Sequence, residues 1–135
     1  SLALTADGCI WSWGFGADGQ LGHGDEQTQQ LPKKVEAFSG QRVVAVSAGG
    51  NHSLALTADG AVWSWGGGGS GKLGHGDEQQ QLLPKKVEAF AGRRVVAVST
   101  GRDHSFAITA DQLLPKKVEA FAGRRVVAVS AGGVH

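Results

Sequence analysis

The chain has 135 residues, a formal net charge of +1 and 41% hydrophobic residues, which fits one globular domain or part of one. So small a net charge gives no overall field that would favour nucleic acid or a membrane, and no apolar run approaches the ~20 residues needed to span a bilayer. The single cysteine, Cys9, excludes a disulfide framework within the chain and favours an intracellular location, in the cytoplasm or nucleus. Because the chain contains no methionine and no signal peptide, we expect it to be a segment of a longer protein.

The dominant feature of the sequence is a repeat of 52 residues. Residues 1–52 and 53–104 align without a gap and are identical at 39 of 52 positions. A long fixed period indicates one supersecondary unit stacked on copies of itself. Residues 105–135 form a third copy that lacks any counterpart of residues 60–80. We therefore predict a single domain of repeat one (1–52), repeat two (53–104) and a truncated repeat three (105–135).

Each copy begins with a predicted β-hairpin. In copy two, residues 54–57 and 61–65 predict two strands, and residues 58–60 predict the turn between them, because Asp-Gly readily supplies positive φ. A strand has a period of two, so Trp63 and Trp65 are expected on one face and the serine between them on the other.

The rest of each copy predicts a loop and two more strands. In copy two, residues 66–76 are rich in glycine and predict a loop, Pro84 precedes a short strand predicted around Val87, and residues 94–99 predict an apolar strand that is buried on both faces. About four short antiparallel strands per copy predict an all-β fold of antiparallel β-propeller blades, here a partial, open propeller.

Residues that recur at the same position of each copy are predicted to be structural. The histidine and aspartate of the Gly-His-Gly-Asp stretch are too few to bind zinc and are expected to hydrogen-bond neighbouring backbone. A structural hydrogen bond is also expected at the three equivalent histidines that precede the first strand, of which His135 belongs to the truncated copy. The predicted structural set is Trp11, Trp13, Gly14, Gly22, His23, Gly24, Asp25, His52, Trp63, Trp65, Gly66, Gly74, His75, Gly76, Asp77 and His104.

Three motifs suggest a catalytic or nucleotide-binding function, but each lacks a feature that this function requires. Residues 66–73 resemble a Walker A loop, but Leu73 stands where a hydroxyl must reach magnesium. Residues 14–19 fit Gly-x-Gly-x-x-Gly, but no helix is predicted after them. Residues 103–105 contain Asp, His and Ser, yet adjacent residues on a strand point to opposite faces and do not converge. We therefore predict that the chain is not an enzyme and has no catalytic, cofactor-binding or metal-binding residues.

Basic pairs also recur, and in a radial array equal positions line up around one rim. Such a rim could meet an acidic protein surface or phosphate. The alternative is ordinary solvated charge that protects strand edges, partly balanced by Glu36, Glu88 and Glu119. The predicted rim consists of Lys33, Lys34, Lys85, Lys86, Arg93, Arg94, Lys116, Lys117, Arg124 and Arg125.

The longest combined motif identifies a family resemblance. The stretches 59–66 and 71–77, then Pro84, then 95–107 resemble the repeat of the regulator of chromosome condensation family over essentially the whole chain. That resemblance implies a seven-bladed propeller, which two repeats and a remnant cannot close alone. Without two buried tryptophans, worth on the order of 10 kcal/mol as an upper bound, copy three is expected to form a distorted blade.

The resemblance implies a non-enzymatic scaffold that binds protein partners. An alternative is part of a guanine-nucleotide exchange factor for a Ran-like small GTPase, although no inserted hairpin interrupts the repeats. A third possibility is UV-B sensing, as in a related plant photoreceptor that carries a Gly-Trp-Arg-His motif. The position of that tryptophan is occupied here by Gly50, Arg102 or Val134, so this function is not expected. A further alternative is a non-functional fragment or an imperfect gene model. Direct contact with nucleic acid or chromatin is not expected, and open blade edges could pair with another chain.

Overall fold

The structure, a computed structural model, describes residues 1–110, and these form an all-β fold of antiparallel sheets. Three sheets contain, in order, the strands β1-β2-β3, β4-β5-β6-β7 and β8-β9. The strands are β1 (Leu2–Leu4), β2 (Ile10–Gly14), β3 (Gln29–Lys34), β4 (Val43–Ala48), β5 (His52–Thr57), β6 (Val62–Gly66), β7 (Gln81–Lys86), β8 (Val95–Thr100) and β9 (Ser105–Thr109). Single 3₁₀ turns lie at Glu36–Phe38, Gly69–Gly71 and Glu88–Phe90. The predicted fold class is confirmed, because consecutive antiparallel sheets pack face to face without closing a ring.

The middle sheet shows one complete four-stranded blade, and its hairpin follows the prediction. Gly60 has φ +86°, and its N–H donates to the carbonyl oxygen of Thr57 at 2.9 Å. The Thr57 hydroxyl donates to the Asp59 carboxylate at 2.6 Å and so fixes the turn. Asp-Gly works here because glycine reaches positive φ at little cost, while the short aspartate side chain satisfies polar groups of the turn.

The strand that was predicted around Val87 lies earlier in the chain, so that prediction was wrong. The outer strand is Gln81–Lys86 and contains Pro84, while Val87 is the buried residue just before the 3₁₀ turn. Proline has no N–H to give to a sheet, so it is tolerated in an edge strand, and β7 is the outer edge of its sheet.

The inner strands β4 and β8 are not buried on both faces, contrary to the prediction. Val44 is 45% exposed and Val96 is 36% exposed. In each strand the pairing register skips that residue, because Val43 pairs with Thr57 while Ala45 pairs with Leu56, and the same shift recurs in β8. A β-bulge of this kind leaves one residue unpaired and turns its side chain outward.

The sheets and the sequence repeat are out of phase. The complete sheet begins at Val43, ten residues before the second copy of the sequence begins at Ser53. Each inner strand therefore comes from the end of one copy and pairs with strands of the next. The boundaries of the repeats stay a prediction. The expected distortion of copy three concerns residues 111–135, which lie outside the described part of the chain.

Candidate functional site

The two ends of the blades differ in what they carry. One end, which we call the turn end, carries the hairpin turns and the starts of the inner strands. There the Val43 N–H donates to the Gly8 carbonyl oxygen at 3.1 Å, and the Val95 N–H donates to that of Gly60 at 3.0 Å. The opposite end, the loop end, carries the glycine-rich loops and the start of β5. Each sheet is thus fixed at its turn end to the hairpin of the sheet before it.

The predicted basic rim lies at the turn end. The outer strands β3 and β7 end there with a pair of lysines each, and the arginines immediately precede the inner strands. Seven cationic side chains, all exposed except the half-buried Lys34, share this end with four carboxylates. The cations are Lys33, Lys34, Arg42, Lys85, Lys86, Arg93 and Arg94, and the carboxylates are Asp7, Glu36, Asp59 and Glu88. The four remaining predicted rim residues, Lys116, Lys117, Arg124 and Arg125, lie outside the described residues.

Two of the carboxylates at the turn end are engaged within their own hairpins. Asp7 and Asp59 each accept a hydrogen bond from a threonine hydroxyl two residues earlier, and these bonds lower the pKa of both carboxyl groups below the usual range. Both carboxylates stay ionised, so the turn end holds seven positive and four negative side chains and has a net formal charge of +3 (7 − 4). Binding through these cations stays a prediction.

The loop end has the opposite charge, which the sequence interpretation did not anticipate. Six of the ten carboxylates of residues 1–110 lie there, against two cationic side chains, one of them the buried Lys72. The carboxylates are those of Asp18, Asp25, Glu26, Asp77, Glu78 and Asp103, and the second cation is Arg102. The blades are therefore electrically polar from end to end. The signal was present in the sequence, because the Gly-His-Gly-Asp-Glu stretch repeats within the loops.

The histidine of each Gly-His-Gly-Asp stretch reaches back to its own sheet. His75 Nε2 lies 2.8 Å from the Ser64 hydroxyl oxygen, which itself donates to the Leu73 carbonyl oxygen at 2.7 Å. The first copy repeats the contact, with His23 Nε2 2.9 Å from Ser12 Oγ. Burial is the main cause that lowers the pKa of both histidines, with nearby Lys33 and Lys85 adding to it.

The aspartates and the histidines of this stretch both have backbone partners. The aspartates do bond to backbone, since the carboxylates of Asp25 and Asp77 accept the N–H two residues later at 3.1 Å. Each histidine contacts the serine of its own sheet through both the hydroxyl and the backbone. Ser64 is fully buried and its hydroxyl proton is directed at a carbonyl group, so the Ser-His pair pins a loop to a strand and leaves no accessible nucleophile.

The histidine at the start of β5 joins the second and third sheets. His52 is 1% exposed, and its Nε2 lies 3.0 Å from Ser105 Oγ, which donates to the Lys72 carbonyl oxygen at 2.8 Å. Burial, assisted by the charge of Lys72, lowers the pKa of His52 to about 4, so the ring is neutral at pH 7. The equivalent His104 packs edge-on against the Phe106 ring, with centroids 5.0 Å apart.

The sequence Asp103-His104-Ser105 does not form a triad. The Asp103 carboxylate lies 3.6 Å from the ammonium group of Lys72, and the Ser105 hydroxyl bonds to Lys72 and His52. The glycine-rich stretch after β6 contains one 3₁₀ turn and no α-helix. Within residues 1–110, no three His, Cys, Asp or Glu side chains cluster so that they could hold a metal ion, and no helix is long and apolar enough to cross a membrane.

The tryptophans of the middle sheet face the first sheet. Trp65 is fully buried, and its indole N–H donates to the Gln20 carbonyl oxygen at 2.8 Å. Gly22 lies under the indole, where an added Cβ would sit 2.9 Å from Nε1. The Phe38 ring contacts both Trp63 and Trp65 at centroid distances of 5.6 and 5.7 Å. Trp11 and Trp13 of the first sheet are half-buried.

The remaining predicted structural glycines occupy turns or strand ends. Gly14 and Gly66 end the strands β2 and β6, and the others lie in the loops that follow. Those loop residues are Gly22, Gly24, Gly74 and Gly76.

Comparisons with known proteins agree with this architecture. The regulator of chromosome condensation (RCC1) repeat matches residues 7–56 and 59–108. Over 100 residues, the chain is 47% identical to the human E3 ubiquitin-protein ligase HERC2, a match that covers 74% of this chain and 2% of that protein.

Solved structures are similar as well. Human WBSCR16 superposes with a TM-score of 0.74 at 29% identity, over 81% of this chain and 28% of that one. Saccharomyces cerevisiae Prp20p, whose structure was described with its binding properties to Gsp1p and histones, gives a TM-score of 0.67 at 25% identity, over 80% and 28%. The chain thus spans less than a third of each of these proteins.

Proposed function

The chain belongs to the regulator of chromosome condensation (RCC1) repeat family, and on that premise we propose that it is a non-enzymatic module that binds an acidic protein surface through its turn end. The observation that carries the proposal is the placement of seven cationic side chains at one end of the blades. Loops and strand ends on a rigid scaffold are where such folds bind partners, and clustered like charge speeds the encounter with an oppositely charged surface.

The geometry of the turn end favours a broad contact over a pocket. The lysines end the outer strands, while Arg42 and Arg94 lie beside the inner strands, so the cations extend across the width of a blade. The aliphatic part of Arg94 lies against Gly60, where an added Cβ would meet Arg94 Cγ at 2.7 Å. A supported stem loses less freedom on binding than a free one, which favours contact through its guanidinium group.

Binding to an acidic probe tests the proposal. We expect the full chain to bind a fluorescein-labelled peptide of alternating Asp and Glu, measured by fluorescence anisotropy, and to bind it more weakly as salt increases. The variant Lys33→Glu/Lys85→Glu/Lys86→Glu should lose about tenfold or more in affinity, because three attractive charges become repulsive.

A matched variant at the loop end serves as the control. Glu26→Lys/Glu78→Lys changes exposed residues at the loop end and should leave the affinity equal or slightly higher. Equal binding by the turn-end variant, or tighter binding of a DNA duplex than of the acidic peptide, contradicts the proposal.

A second candidate is a part in nucleotide exchange on a Ran-like small GTPase. It is favoured by the likeness to Prp20p, which was described with its binding properties to Gsp1p. Exchange proceeds by contact and needs no chemical step from this chain. Release of labelled GDP from a Ran-like GTPase separates the candidates, because acceleration by the chain supports exchange and an unchanged rate supports the scaffold.

A further inference from the structure

A groove opens between the second and third sheets. It has a volume of about 310 Å³ and is lined on one side by apolar side chains of the middle sheet and on the other by β9. Val62 and Val87 form its floor together with the ring of Phe90, and Ala107 faces them from β9. Its size falls at the lower end of the range for ligand pockets, roughly 300–1,000 Å³.

The molecule contains the same groove a second time, and there it is filled. The cluster between the first and second sheets contains Ile10, Val35, Phe38, Val43 and Ala55, and adding 52 to each number gives a member of the cluster between the second and third sheets. The filled groove also contains Trp63 and Trp65. No described residue takes their place in the open groove.

Copy three lacks these two tryptophans in its sequence. In copy two both belong to residues 60–80, which have no counterpart after Asp111. Their strand, β6, pairs along β5. The equivalent of β5 is β9, which pairs with β8 on one edge and with no described strand on its other edge. The groove and the edge of β9 that pairs with no strand of residues 1–110 therefore mark the place that a strand like β6 occupies in the middle sheet.

The hydrogen-bond acceptor for an indole is also in place. In the filled groove, the Gln20 carbonyl oxygen accepts both the Trp65 indole N–H at 2.8 Å and the Ser53 hydroxyl at 2.9 Å. In the open groove, the equivalent Lys72 carbonyl accepts the Ser105 hydroxyl at 2.8 Å. A carbonyl oxygen has two lone pairs, and among described residues the second one of Lys72 receives no hydrogen bond.

The aromatic floor shows the effect of the missing rings. Phe38 is 4% exposed because Trp63 and Trp65 cover it, whereas the equivalent Phe90 is only half-buried. A half-buried ring in a groove, beside an unused acceptor, suits an aromatic group that has one N–H donor. Phenylalanine or leucine would fill the space but would give no donor to the second lone pair of the Lys72 carbonyl oxygen.

We propose that the groove between the second and third sheets binds a protein segment that lies extended along β9 and inserts tryptophan, its indole N–H donating to the Lys72 carbonyl. Main-chain pairing to the strand edge would give affinity and the tryptophan pocket would give selectivity. This surface is continuous with the contact between the second and third sheets, which Ser47 and Thr100 already join at 2.7 Å. It uses an apolar lining and a strand edge in place of the basic side chains of the turn end, so different variants test the two proposals.

A peptide added in trans tests the proposal. The probe is a fluorescein-labelled peptide with the sequence of residues 60–80, titrated with the full chain and followed by anisotropy. We expect saturable binding, and we expect the same peptide with alanine in place of both tryptophans to bind at least about 30-fold more weakly, as hot-spot tryptophans do. Hydrogen exchange should slow at the amides of Ser105–Thr109 when the peptide is bound.

Two groove variants provide the controls. Val87→Arg should abolish binding by filling the floor with a charge, and Phe90→Ala, a milder change at a half-buried ring, should weaken it about tenfold. Val44→Arg, at an exposed position that does not line the groove, is the control and should leave binding of the peptide unchanged. Equal affinity for the peptide without tryptophan, unchanged binding by Phe90→Ala, or no binding at all would overturn the proposal.

Discussion

The two contacts between neighbouring sheets are lined by residues at equivalent positions of the repeat, yet one contact is closed and the other leaves a groove. Between the first and second sheets, Trp65 is completely buried and bonded at its indole N–H. Between the second and third sheets, the groove stays open and the contact includes polar pairs, His52 with Ser105 and Ser47 with Thr100. The comparison shows that the repeat specifies where sheets meet, while one tryptophan strand decides how firmly they are held.

The largest effect on the difference between the closed and the open contact is expected from removal of the buried indole. Trp65→Ala should lower the free energy of unfolding by about 3–5 kcal/mol, because it leaves a cavity in a closed core. Trp13→Ala, at the equivalent position in the first sheet, should cost only about 1 kcal/mol, since that ring is half-buried. Urea unfolding followed by circular dichroism measures both. Equal costs would mean that burial of Trp65 does not distinguish the two contacts.

Acid should weaken the contact between the second and third sheets, where His52 is buried. The pKa of His52 is lowered from 6.5 to about 4 in the folded chain, so its contribution to stability is present above 6.5 and is lost as the pH falls from 6.5 towards 4. Between pH 7 and pH 5 we expect a loss of about 1–2 kcal/mol from this group.

The control for this prediction removes the group itself. His23 and His75, whose pKa values are lowered too, remain in the variant His52→Gln. The loss of stability between pH 7 and pH 5 should therefore be smaller in the variant than in the wild type, but not zero. The same pH dependence in both proteins would remove His52 as a cause.

A smaller effect on stability is expected at the loop end, where the two copies differ in one ion pair. Gln20 and Asn51 of the first copy are replaced by Lys72 and Asp103 in the second, where the ammonium group is buried and the carboxylate is half-exposed. Asp103→Asn should cost about 1–2 kcal/mol because it leaves a buried charge without its partner, whereas Lys72→Gln should cost about 0.5 kcal/mol or less. The double variant, which copies the first repeat, should recover most of the loss in urea unfolding. Additive costs would show that the pair is not coupled.

The hairpins were the most predictable part of the fold, because their signals are local. Ala-Asp-Gly between two apolar runs predicted the turn at Gly60, and a period of two placed Trp63 and Trp65 on one face. The position of the outer strand was missed because Pro84 suggested a strand boundary, although an edge strand tolerates proline. The exposed Val44 was missed because a bulge depends on pairing with β5, which an apolar run does not reveal.

The candidate sites were less predictable, because they join residues distant in sequence. The rim lysines could be placed by their period, but the acidic loop end needed the register that puts all loops together. The pairing of Lys72 with Asp103 had a usable signal, since both positions change between copies in which 39 of 52 residues are identical. The sequence showed that copy three lacks the two tryptophans, but it did not show which groove they would have filled. That groove was recognised only by comparison with the filled one.

The predicted sequence repeat and the four-stranded sheet begin at different residues of the chain. Excision of residues 43–94 would deliver a polypeptide with every strand of one blade, from Val43 to the end of β7. Excision of residues 53–104, of equal length and a full sequence repeat, would deliver three strands of one blade and the inner strand of another. Recombination at the predicted boundaries 52/53 or 104/105 would therefore join strands of one sheet, so a copy inserted there would be tied by backbone hydrogen bonds to its neighbour.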